Sequence, residues 1–204
     1  MKVKKKMYGA WKRSMVIVKN AMSTYFKLRK EYFDRGLNFL FKTPYNEKVD
    51  FVIYQGEIEE DEISWKPVEK YIETDLTILE EQFAIKFHDS VYHYFNSYWF
   101  ADFDGFIGDH YISLEAVLPN KELDSFKEKL EGYEKNHCKL DKIPIGVEGN
   151  GSLVVLNNVS GKVELEDFER GLFIEVSNSL NELISSLRLQ NSKVKNVYMN
   201  YRGA

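Results

Sequence analysis

The 204-residue chain has a single cysteine, four prolines and no long apolar run. One thiol, Cys138, excludes an intrachain disulfide framework. A chain of this length buries roughly 70% of its unfolded surface without such staples. The longest charge-free stretches, Ser90 to Ala101 and Gly149 to Gly161, are too short and too polar to span a bilayer. Met15-Val-Ile-Val18 falls short of a signal-peptide core of about 7 apolar residues, so the expected compartment is reducing and cytosolic. Also missing are a G-x-S-x-G elbow, an H-E-x-x-H helix, a Walker loop and any internal repeat. The chain is 44% hydrophobic and 29% charged, the balance of one globular domain with its own core.

Charge is divided along the chain. Residues 1 to 50 hold 13 Lys/Arg against 4 Asp/Glu, a net of +9, while the remaining 154 hold 15 against 28, a net of −13. Lys2, Lys4, Lys5, Lys6, Lys12, Arg13 and Lys19 follow one another with no acid between them. Residues 1–19 are expected to be a loose, solvated basic arm. Its functional reading is peripheral contact with an anionic membrane through Lys2, Lys4, Lys5 and Lys6; no specific nucleic acid is expected. Residues 20–189 form the expected domain, and 190–204 a polar tail.

Periodicity predicts the elements. Met22, Tyr25, Phe26, Leu28, Tyr32 and Phe33 recur at helical spacing from Asn20 to Arg35. Val49 to Tyr54 reads as a strand, and Ile63 to Pro67 as an edge strand pairing back, which places Glu57, Glu59, Glu60, Asp61 and Glu62 in a hairpin. A helix striped by Leu76, Leu79 and Phe83 precedes a largely buried aromatic helix from Asp89 to Phe100. Two strands flank Gly108-Asp109, and a helix carrying Leu123, Phe126, Leu130 and Tyr133 is expected to start at Pro119-Asn120. Strands Ile143 to Glu148, Ser152 to Leu156 and Lys162 to Leu165 follow, and Ser179-Leu-Asn-Glu182 opens a last helix as a capping box. This order predicts an α+β fold, a mostly antiparallel sheet with helices packed on one side. Trp65, Phe83, Phe95, Trp99, Leu114, Phe126, Ile143, Val155 and Leu183 are expected in one core.

The search for chemistry is mostly negative. Gly146, Gly149 and Gly151 lead into a strand rather than a helix amino terminus, so they read as turns and not as a phosphate loop. Asp102-x-Asp104-Gly105 copies the middle of a calcium loop, but Phe100 and Tyr111 occupy the positions of two principal ligands. His88 and His93 would lie about 140° apart on a helix, too far round to grip one zinc ion. Together with Cys138 they are expected to be structural or exposed, without a shared cleft. No metal, cofactor or catalytic residue is assigned. The acids are what remains: the Glu57 to Glu62 segment must be solvated, and it can steer a basic partner by its field.

Taken in order, Ile63-Ser-Trp-Lys-Pro67, Tyr98-Trp-Phe-Ala-Asp102, Ile143-Pro-Ile-Gly146, Gly149 to Leu156, Asn158-Val-Ser-Gly-Lys-Val163 and the Ser177 to Leu187 helix resemble the SUKH superfamily, and within it the Syd-like, SecY-interacting clade. The resemblance implies a non-catalytic binding scaffold. Its first implied function is a cytosolic immunity protein that neutralises a bacterial polymorphic toxin, and the alternative is docking on the cytosolic loops of the SecY translocon. Either partner would offer a basic surface to an acidic concave face. Glu57, Glu59, Glu60, Asp61, Glu62, Asp102, Asp104 and Asp109 are the residues that the resemblance suggests for it. The Lys-rich arm and the tail after Leu189 depart from the pattern.

Overall fold

Helix α1 opens the fold, and its buried residues Val18, Ala21, Met22, Tyr25, Phe26 and Arg29 follow one stripe at three- and four-residue spacing. The computed structural model describes residues 2–189, with side chains from Met15 onward. Within it α1 spans Lys2–Asp34, so the helix expected from Asn20 continues back through the basic arm, and Val18 already belongs to the core. The side chains of Lys2, Lys4, Lys5 and Lys6, and the whole 190–204 tail, lie outside the described residues. Gly36, at φ +100°, ends the helix with its N–H on the Phe33 carbonyl.

A three-stranded antiparallel sheet follows in the order β1 (Lys42–Pro44), β3 (Glu62–Trp65), β2 (Tyr54–Glu59). Two expectations are corrected here. Phe51–Ile53 is a 3-10 turn capped by Asp50, whose carboxylate accepts from the Val52 N–H, so the strand starts at Tyr54 instead of Val49. The strand expected at an edge, β3, is central, because Lys42–Pro44 pairs along its other side.

Helices α2 (Thr77–Phe83) and α3 (Asp89–Phe95) come next. The aromatic helix stops five residues before Phe100. Asn96 turns back to accept the Thr74 N–H, and Tyr98–Trp99 (β5) pairs with Val68–Glu69 (β4) instead.

The main sheet is six antiparallel strands in sequence order: β6 (Phe103–Ile107), β7 (His110–Leu114), β8 (Lys142–Glu148), β9 (Leu153–Asn157), β10 (Val163–Asp167) and β11 (Leu172–Ser177). Helix α4 (Asp124–His137) joins β7 to β8, and α5 (Leu180–Ser186) follows β11. Helix α4 begins later than Pro119-Asn120 predicts: Asn120 sits at φ 64° in a turn, and no side chain caps the helix. Ser179 caps α5 by accepting the Glu182 N–H, while Glu182 reaches the Asn178 N–H rather than that of Ser179. After α5 the chain returns to the outer side of β6, where Phe106 and Arg188 exchange two backbone hydrogen bonds of 2.9 Å. The architecture is α+β, built on antiparallel sheets.

One hydrophobic cluster unites the elements. Trp65, Phe83, Phe95, Leu114, Phe126, Ile143, Val155 and Leu183 are buried in it, and Trp99 packs against it half-buried. Gly146 is a strand residue rather than a turn: a Cβ there would meet the Ser113 carbonyl oxygen at 2.3 Å, so β7 and β8 approach only because it has none.

Lys70 is a cation inside this core, 5% exposed. Its Nζ donates to the Phe95 carbonyl at 2.8 Å and lies 3.5 Å from the centroid of the Trp99 ring. Burial pushes its pKa down to about 8, and the Glu122 carboxylate offsets only part of that. An unfolded lysine keeps its proton to about 10.4. Between pH 8 and 10 the unfolded chain therefore binds more protons, and stability should rise with pH by about 2 kcal/mol. Above about pH 10 the unfolded tyrosines ionise. Tyr25, Tyr92, Tyr94 and Tyr133, whose pKa values burial raises in the fold, then reverse the trend. Urea midpoints from pH 7.5 to 11 should pass through a maximum, and Lys70→Met should flatten the rising limb. A wild-type midpoint that falls steadily from pH 8 would contradict this account.

Candidate partner-binding face

The β2–β3 hairpin carries the acids. Glu59 faces Glu62 across it, and the two residues between them, Glu60 and Asp61, lie at φ 51° and 63°. A two-residue turn with both residues left-handed suits Asn-Gly. Non-glycine residues there cost about 1 kcal/mol or more each. Glu57, Glu59, Glu60 and Asp61 are exposed and Glu62 is half-buried. Lys42 Nζ lies 3.2 Å from Glu59, whereas Glu57, Glu60 and Asp61 have no ion-pair partner among the described residues. This turn is thus unfavourable in both backbone conformation and charge. Glu60→Asn with Asp61→Gly should raise stability by about 1 kcal/mol, read as a higher urea midpoint. A lower midpoint would mean that the acids support the fold.

The other suggested acids lie on or beside β6 and divide among themselves. Asp109 is exposed in the β6–β7 turn beside Gly108. Asp102 is partly exposed, 3.8 Å from Arg29 Nη2. Asp104 is the correction: only 3% exposed, it points into the protein and is removed from any solvated face. Its carboxylate receives Arg29 Nη1 on one oxygen and the Tyr111 hydroxyl on the other, the latter at 2.5 Å. Arg29 is fully buried, donates Nε to the Leu40 carbonyl at 2.8 Å and Nη1 to the Tyr25 hydroxyl at 2.7 Å. Its guanidinium carbon lies 5.5 Å from the Trp65 ring and 5.7 Å from Phe41. Arg29 therefore links β6 to the root of the acidic hairpin, and neutralises Asp104 there.

A groove opens at that root, with a volume of about 440 Å³. Phe26, Phe33, Phe41 and Trp65 give it aromatic walls, and Gln55, Gly56 and Lys66 form part of its rim. Sequence reasoning took Trp65 only as core and missed the cavity.

His88 caps α3 by accepting the Ser90 N–H, His93 is buried with its pKa lowered by burial, and Cys138 is exposed at the carboxyl end of α4. A pair not foreseen is His137 and Glu166, which meet at 2.5 Å while His137 stacks on Tyr133 and bonds its carbonyl. Among the described residues no group of three or more His, Cys, Asp or Glu is placed to hold a metal ion, and no helix is long and apolar enough to cross a membrane.

Residues 19–188 match the family model of Syd protein (SUKH-2), which takes in α1 from Lys19, strands β1 to β11 and the Arg188 bridge. The chain belongs to the Syd family. Among curated members, Protein Syd of Yersinia enterocolitica is 24% identical over 136 residues, covering 65% of this chain and 74% of that protein. Protein Syd of Psychromonas ingrahamii is 23% identical over 137 residues, with the same coverage. At such identity the Syd match carries the family, while surface residues must be argued from this chain itself.

Proposed function

We propose that this Syd-family protein is a non-catalytic protein-binding module that docks on the cytosolic loops of the SecY translocon, using the acidic hairpin to draw in a basic surface. Family membership over residues 19–188 carries the reading and favours it over toxin neutralisation, which rests on the wider superfamily alone. The hairpin supports it physically. Among the described residues Glu57, Glu60 and Asp61 have no ion-pair partner, and two acids hold turn positions that Asn-Gly would fill more stably. Such a cluster raises the encounter rate of an oppositely charged partner over about a Debye length, roughly 8 Å at physiological salt. Asp104, held by Arg29, is left out of this face, while Asp109 and partly exposed Asp102 remain candidates for its margin.

The test is association of the full chain with SecY translocon in nanodiscs. Glu57→Gln, Glu60→Gln and Asp61→Asn together should slow association by about 10-fold at low salt and flatten its salt dependence, with dissociation little changed. An unchanged association rate would remove the hairpin from the interface. Absence of wild-type binding, together with protection of cells against a toxin domain encoded beside this gene, would instead establish the immunity reading.

A further inference from the structure

Tyr71 and Ile72 are adjacent large apolar residues held in solvent, 88% and 82% exposed. They are pinned on both sides. Before them the Lys70 N–H donates to the Ser97 carbonyl at 3.0 Å and the Lys70 side chain is buried; after them the Thr74 N–H donates to Asn96 Oδ1 at 2.6 Å. Neighbouring apolar side chains that a fold holds outward in this way mark a contact surface.

Charge selects what they touch. Tyr71 and Ile72 follow β4, whose Glu69 meets Lys19 Nζ of α1 at 2.5 Å, so the tip stands on the Lys19 side of that helix. Successive helix residues turn by about 100°, which places Lys5, Lys12, Val16 and Lys19 of α1 within about 60° of one another, on one side. Val16 is exposed there. Residues 2–19 hold seven basic side chains and no acid, and the acids beside the tip in sequence, Glu69, Glu73 and Asp75, are fewer, so the surface is basic on balance. The acidic hairpin lies away from it, because the groove at its root is walled by Phe26 and Phe33 on later turns of α1.

We propose that the Tyr71–Ile72 tip and the adjoining basic side of α1 dock the protein directly on an anionic phospholipid bilayer. Headgroups meet the lysines of α1, and the boundary with the acyl chains accepts Tyr71, Ile72 and Val16. Nucleic acid would satisfy the cations alone. The charge of the hairpin turns that end of the molecule away from the lipid. Lys5, Lys12 and Val16 precede Lys19, where the family match begins, so family membership does not account for this surface. The contact needs no translocon and goes beyond the SecY reading.

The test is flotation of the full chain with protein-free vesicles. It should bind vesicles of phosphatidylcholine with phosphatidylglycerol at least about 10-fold more tightly than vesicles of phosphatidylcholine alone. Tyr71→Ser with Ile72→Ser should weaken binding to the anionic vesicles about 10-fold or more, at an unchanged urea midpoint because both side chains are exposed. Glu73→Gln removes an opposing charge and should tighten binding about twofold. The indole introduced by Tyr71→Trp should shift its emission to the blue, relative to wild type, as anionic vesicles are added. Equal binding to neutral and anionic vesicles, binding indifferent to the Tyr71 and Ile72 substitutions, or an emission that does not move would overturn the proposal. So would tight binding of a DNA duplex by a chain that leaves anionic vesicles bare. Translocon in nanodiscs of phosphatidylcholine separates the two readings: association there without vesicle binding would reject this surface alone, and vesicle binding without translocon association would reject the SecY reading alone.

Discussion

Replacing Arg29 by Met should destabilise the protein by about 3–5 kcal/mol, because it leaves the Asp104 carboxylate buried with its cation removed. Four features make this site severe. Arg29 is fully buried, its Nε and Nη1 bond Leu40, Tyr25 and Asp104, Tyr111 holds the other Asp104 oxygen, and the guanidinium lies over the adjoining Trp65 and Phe41 rings. The loss would appear as a fall in the urea midpoint at unchanged slope. Removing the charge at both ends, Arg29→Met with Asp104→Leu, should recover a large part of it, since no isolated ion then remains. Asp102→Asn should cost less than about 1 kcal/mol, because that carboxylate is partly exposed and 3.8 Å from the guanidinium. A single Arg29→Met variant within 1 kcal/mol of wild type would refute the buried-pair account.

Phe103→Ala should be nearly as damaging, about 3–5 kcal/mol. Its ring is fully buried and stacks on Tyr25 with centroids 4.0 Å apart at 23°. Phe26 and Phe100 each meet it edge-on at 5.3 Å. The ring thus joins α1 to the first strand of the main sheet, and its removal opens a cavity bordered by aromatics that cannot fold inward to fill it. Phe103→Leu should retain more of the stability than Ala, since it keeps part of the volume. Thermal unfolding of the three proteins gives the order; an Ala variant as stable as the Leu variant would show that the site collapses freely.

The parts legible in the sequence are those where one local rule acts alone. Strands β8 to β10 are bounded by Asn150-Gly151 and Asn157-Asn158, and Glu57, Glu60 and Asp61 are exposed, as a dense run of acids requires. Asp104 was misread for the opposite reason. Its partner Arg29 stands 75 residues away in sequence, so an acid in Phe103-Asp-Gly-Phe looks solvated until the fold brings the guanidinium to it. A signal did exist: Arg29 continues the α1 stripe of Val18, Met22 and Tyr25, and a cation on a buried stripe needs an acid. Strand β11 was missed because Leu172, Phe173 and Ile174 are all exposed at an outer edge, so alternation never shows. The aromatic helix was overrun because Tyr98-Trp99 suits a helix or a strand equally, and only pairing with Val68-Glu69 decides. The groove requires knowledge of what surrounds Trp65, which no spacing along the chain supplies.

The bridge between Phe106 and Arg188 has a consequence for biosynthesis. Strand β6 receives α1 on its side chains, through Tyr25 with Phe103 and Arg29 with Asp104, and receives Arg188 on its outer backbone. One strand is therefore completed by α1, which is made before it, and by Arg188, which is made after the rest of the main sheet and α5. On the ribosome, β6 emerges with its α1 partner already made, but its outer N–H and C=O groups stay exposed until residue 188 has left the exit tunnel. Contacts this distant in sequence delay closure, and an emerging chain with an open strand edge is the form that a chaperone or a neighbouring nascent chain would capture.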